Sequence, residues 1–113
     1  GGAMNAITLP GGTVYIKFAT AAHLLATAMC PKHELDDAVA EYSDAYSSVD
    51  RKLSRAVELG DLRAIDPLTH RRHPYPVGKA LREAEILVED LKRYAAGNGL
   101  PAIETSSSTA ELS

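Results

Sequence analysis

Leu35, Val39, Tyr42, Tyr46, Val49 and Leu53 follow one another at alternating steps of four and three residues. That spacing puts all six on one side of an α-helix. Ala56 or Val57 and then Leu59 carry the stripe on to Gly60, a residue suited to the left-handed position that ends helices. The stripe fits one long helix or two that break at Ser47-Ser48, and Ser47 followed three residues later by Asp50, which loosely resembles a capping box, favours the break. Tyr42 and Tyr46 lie on the stripe one turn apart and are expected in the core. Left exposed, the same stripe would be a partner surface, or a seam for self-association between Leu35 and Leu53.

The rest of the chain also leans to helix. Its apolar residues are mostly Ala, Leu and Val, with one Phe and no Trp, and Ala and Leu are strong helix formers. A first helix is predicted from an N-cap at Thr20 to about Met29, with Ala21, Leu24, Leu25 and Ala28 as its stripe and Pro31 as its stop. A last helix is predicted over Glu89 to Ala96, its acids in the first turn and Lys92 and Arg93 further on, the order that suits the helix dipole. Ile7 and Leu9 before Pro10-Gly11-Gly12, with Val14 and Ile16 after it, read as a short hairpin or an N-terminal arm. Leu62 to Ile65 reads as a strand whose partner is Ala84 to Val88. Between them the prolines of Asp66 to Pro76 make a loop, and Val77 to Arg82 a helical turn.

With 113 residues, one domain is expected. Residues 1–17 form the arm or hairpin, 18–100 the helical domain and 101–113 a disordered Ser/Thr-rich tail. Gly1-Gly2-Ala3 resembles a cloning remnant ahead of Met4. The fold class is α+β, mainly α, with about four helices and a short two-stranded hairpin. The apolar run Phe18 to Cys30 is too short to span a bilayer; behind Lys17 it resembles a signal-peptide hydrophobic region but no clean small-residue cleavage site follows, so a cytoplasmic protein without a membrane partner is expected, with secretion as the alternative.

Charge is distributed unevenly. The formal net charge is -3, yet all but two of the twelve Lys and Arg lie between Asp50 and Arg93. From Cys30 to Val49, Lys32 stands against Glu34, Asp36, Asp37, Glu41 and Asp44. Such two-sidedness can steer a partner. Arg51, Lys52 and Arg55 on the helix, with Arg71, Arg72 and His73 in the loop, are the candidate contacts to a protein or to nucleic acid.

Catalysis and metal binding find less support. Cys30-x-x-His33 and His70-x-x-His73 have the residue types of a zinc site, but Arg71 and Arg72 would oppose the cation and no Cys-x-x-Cys accompanies them. Cys30 with His23 or His33 lacks a third group to orient the base. Gly11-Gly12 lacks the Lys-Ser/Thr of a phosphate loop. No enzyme, cofactor or metal site is expected.

Three runs carry a resemblance. Phe18-Ala-Thr-Ala-Ala-His-Leu-Leu-Ala resembles the opening helix of excisionase-type winged helix-turn-helix domains. Glu58-Leu-Gly-Asp-Leu-Arg-Ala-Ile-Asp resembles their exit into the first wing strand, and Ile86-Leu-Val-Glu-Asp-Leu-Lys-Arg-Tyr their return strand and short helix. The middle helical segment is longer and more acidic than that pattern, and the wing loop is long. The resemblance implies that Arg51, Lys52 and Arg55 face duplex DNA while Arg71, Arg72 and His73 reach phosphate or the minor groove. The chain also resembles small helical proteobacterial proteins, which implies no activity. The leading expectation is a helical protein-interaction or scaffold domain that can self-associate, with a DNA-binding winged-helix-like module as the alternative.

Overall fold

Two helices of this protein begin without a loop, directly from strands that pair with each other. The computed structural model describes residues 6–30, 35–73 and 78–105, with side chains from residue 40 onward in the long helix. Strand β2 (Tyr15–Lys17) runs into α1 (Phe18–Met29), and β4 (Glu85–Leu87) runs into α4 (Val88–Gly97). β2 and β4 are antiparallel, Ile16 opposite Ile86. Neither helix has a side-chain cap. The ladder does that work instead. The N–H of Phe18 donates to the carbonyl of Ala84 at 2.8 Å, and the N–H of Val88 to that of Val14 at 2.9 Å. Each bond satisfies a donor that a helix start leaves open. This is why α1 starts at Phe18 and not from an N-cap at Thr20.

The central helix α2 (Leu35–Leu59) is unbroken, so of the two readings of this segment the single long helix holds and the favoured break at Ser47-Ser48 does not. Val49, Leu53 and Ala56 are fully buried, and Tyr46 packs against the same core one turn earlier. Continuous packing against α1 outweighs the modest preference of serine for helix ends. The burial also removes Val49 and Leu53 from any intermolecular seam. Gly60, at φ 88°, closes the helix. Its N–H donates to Val57 and that of Asp61 to Ala56, the paired bonds of a Schellman ending.

β3 (Ala64–Ile65) pairs antiparallel with β4, as expected, and the sheet order is β2-β4-β3. The short helix α3 (Gly78–Glu83), with Leu81 buried, lies in the connection between them. The class is α+β and mainly helical, with four helices among the described residues, but the expected two-stranded hairpin is a three-stranded sheet.

The N-terminal hairpin does not form. The turn at Pro10 is present, with the Thr13 N–H donating to the Pro10 carbonyl at 3.2 Å and Gly12 at φ 86°. The flanking strands then part. β1 (Ile7–Leu9) pairs in parallel with β5 (Ile103–Thr105), Ile7 opposite Ile103, while β2 joins β4. An isolated hairpin is marginal, and separate partners let Ile7, Leu9 and Ile16 all enter the core. Residues 6–17 are therefore part of the domain rather than an arm. Leu100, Pro101 and Ile103 are buried too, so 101–105 belong to the fold, and the rest of the expected tail lies outside the described residues. Among the described residues no helix is long and apolar enough to cross a membrane.

Candidate interaction groove

The C-terminal half of α2, the turn at Gly60, β3 and α3 enclose an open groove of about 1120 Å³. One wall is α2, through Ser47, Asp50, Arg51, Ser54, Arg55 and Glu58. The floor is apolar, from Val57, Leu62, Ala64 and Leu81. The far rim is Arg72 and His73, from the segment that follows β3.

That segment is held by its own polar side chains. The Asp66 carboxylate accepts the N–H of Leu68 at 2.8 Å, and the Thr69 hydroxyl accepts that of Arg71 at 3.2 Å. The Asp66 N–H donates to Arg71 and the His70 N–H to Asp66, both at 2.8 Å. His70 adopts φ 59°, a left-handed conformation that costs a non-glycine residue about 1–2 kcal/mol. Its ring stacks on Tyr15, centroids 6.0 Å apart and planes within 13°. The Ile65–Arg72 bridge and the His73 N–H bond to Ala64 anchor the end of the loop along β3. Leu68 is left at the tip, 90% exposed.

Of the six nominated residues, Arg51, Arg55, Arg72 and His73 meet at the groove. Lys52 does not. It projects about 100° away around the helix, and its carbonyl accepts the Tyr94 hydroxyl at 3.2 Å. Arg71 is exposed and does not line the groove. Arg55 pairs with Glu58 at 3.4 Å, both exposed, and such a pair adds little to stability. Arg51 and Arg72 have no ion-pair partner among the described residues. Asp50 borders the groove, and its Oδ1 is buried and has no hydrogen bond among the described residues.

Two polar clusters lie elsewhere. Asp90, 2% exposed, accepts from Arg63 Nε at 2.9 Å, Arg63 Nη2 at 3.0 Å, the Arg63 N–H at 3.2 Å and Arg93 Nη2 at 2.7 Å. Hydrogen bonding from Arg63 holds its carboxyl below the usual range, despite burial, with Arg93 adding to the effect. In the sequence Asp90 reads only as a first-turn acid, because nothing local points to Arg63. At the α1–α2 contact, His23 Nδ1 and the Tyr42 hydroxyl share a hydrogen bond of 2.7 Å. The Cys30 thiol is half-buried and is pushed up by burial and then by the charge of Glu41, which disfavours the thiolate a nucleophile needs. His33 lies outside the described residues. Among those described, no three His, Cys, Asp or Glu are grouped to hold a metal ion.

No protein-family model, curated protein or solved structure matches this chain.

Proposed function

We propose that this domain is a non-enzymatic, cytoplasmic protein-recognition module, and that the groove beside α2 is where it binds. The observation that carries this reading is the apolar floor of Val57, Leu62, Ala64 and Leu81 in a groove that Arg51, Arg55 and Arg72 also line. Apolar surface with arginine beside it is the composition of protein contact sites.

Duplex DNA fits the same face less well. A helix-turn-helix reader places the N-terminal residues of its recognition helix on base edges. From Leu35 to Ser48, α2 has Asp36, Asp37, Glu41 and Asp44 and no Lys or Arg, so its leading half would repel phosphate. Asp50 and Glu58 add two acids along the groove itself.

The test is selection of displayed random peptides on the immobilised protein, with Arg51→Glu/Arg72→Glu as control, beside a titration with random duplex DNA at two salt concentrations. Peptides combining apolar and acidic residues are expected from the wild type and lost from the control. No selected peptide, together with DNA binding that falls steeply with salt, would overturn the reading in favour of nucleic acid.

A further inference from the structure

The face of α2 turned away from the core carries a pattern that complements itself. Asp44, Ser47, Arg51 and Arg55 follow at steps of three and four and are all exposed. They lie on the side opposite the buried Val49, Leu53 and Ala56. Asp44 and Arg51 stand at equal distances, about 5 Å along the axis, on either side of the midpoint between Ser47 and Ser48. Neither makes an ion pair among the described residues.

We infer that α2 is the seat of a two-fold homodimer, in which it crosses its copy antiparallel beside Ser47 and sets Asp44 of each protomer against Arg51 of the other. This rests on the reading of the groove face as a protein-binding surface, and it names the partner as a second copy of the chain. The argument is charge complementarity. An isologous interface needs a surface that matches itself after a half-turn, and acid before the midpoint with base after it is such a surface. The small side chain of Ser47 lets the axes approach to the 8–10 Å of packed helices. At a crossing of about 50°, points ten residues from the midpoint are about 16 Å apart, against the 8–10 Å at the crossing itself. The charge of Glu58 is already offset by its ion pair with Arg55. The acidic half of the copy then lies across the groove, toward Arg51 and Arg72. The charge pairs set register and partner choice, and the covered groove supplies the apolar contact.

Sedimentation velocity over micromolar to near-millimolar concentration tests this on the full chain. The wild type is expected to dimerise more weakly as salt rises. Asp44→Arg and Arg51→Asp, each placing like charges together, are expected to weaken the dimer about tenfold or more. An equimolar mixture of the two variants regains opposite charges at both contacts and dimerises, and so does the double variant. Unchanged thermal melts of the single variants separate loss of association from loss of fold. A monomeric wild type, single variants that associate like it, or a mixture that stays monomeric overturns the proposal. A wild-type monomer that still selects peptides overturns the dimer alone, and one that selects none overturns the groove reading as well.

Discussion

The Arg63 guanidinium clasps the Asp90 carboxylate with two parallel hydrogen bonds, Nε to Oδ2 at 2.9 Å and Nη2 to Oδ1 at 3.0 Å. The pair ties the segment entering β3 to the first turn of α4, and so fixes how the second sheet edge meets the last helix. The carboxylate is buried, but the Arg63 side chain is 49% exposed. Removing the acid therefore strands no buried cation. Asp90→Asn is expected to cost about 2 kcal/mol through weakened charge-assisted bonds. Arg63→Ala, which removes two side-chain hydrogen bonds to the buried carboxylate, should cost more than Arg93→Ala, which removes one. Denaturant midpoints of the three variants check the order, and equal losses at Arg63 and Arg93 would contradict it.

The same carboxylate sets an acid limit on stability. Its folded-state pKa is lowered from an ordinary value of 3.8, first by the hydrogen bond from Arg63. The unfolded state therefore takes up the proton first as pH falls. The contribution is complete above the ordinary value and disappears as pH drops through the folded value. Wild type and Asp90→Asn should differ in melting temperature by a constant amount at neutral pH, and the two curves should converge below about pH 4. A gap that stays constant into strong acid would show that the charge of Asp90 contributes nothing.

The continuity of α2 gives a sharper test at Ser47. As an N-cap, Ser47 would be worth about 1 kcal/mol over alanine. As an exposed residue inside an unbroken helix it is worse than alanine by a few tenths of a kcal/mol. Ser47→Ala is therefore expected to leave stability unchanged or raise it slightly, by thermal melt. A loss of about 1 kcal/mol would place a helix start there.

What could be read from the chain divides by range. Gly60, the stripe through Leu53 and the body of α4 rest on neighbours within a few residues, so propensity and periodicity reveal them. The alternation of Ile7, Leu9 and Ile16 shows which side chains are buried but carries no label for the strand they join. β1 found its partner at the other end of the chain, in β5. The groove was half visible. Arg51, Arg55, Arg72 and His73 stand out by charge, whereas the floor joins Val57, Leu62, Ala64 and Leu81 from separate parts of the fold, and no local pattern links them. Lys52 shows the limit of reasoning by charge alone, since one helical step carries it off the face.

Cys30 offers a test of the non-enzymatic reading. Burial, and after it the charge of Glu41, push its thiol up from the ordinary 9.0, and His23, a candidate base, shares its Nδ1 hydrogen bond with Tyr42 instead. At neutral pH the thiolate is scarce, and alkylation proceeds through it. Labelling by iodoacetamide is expected to be slower in the folded protein than in urea, with a rate that keeps rising well above neutral pH. Glu41→Gln should raise the folded rate modestly, because the acid is the smaller of the two causes, and His23→Ala should leave it unchanged. A folded rate exceeding the unfolded one, with a plateau near neutral pH lost in His23→Ala, would instead identify an activated nucleophile.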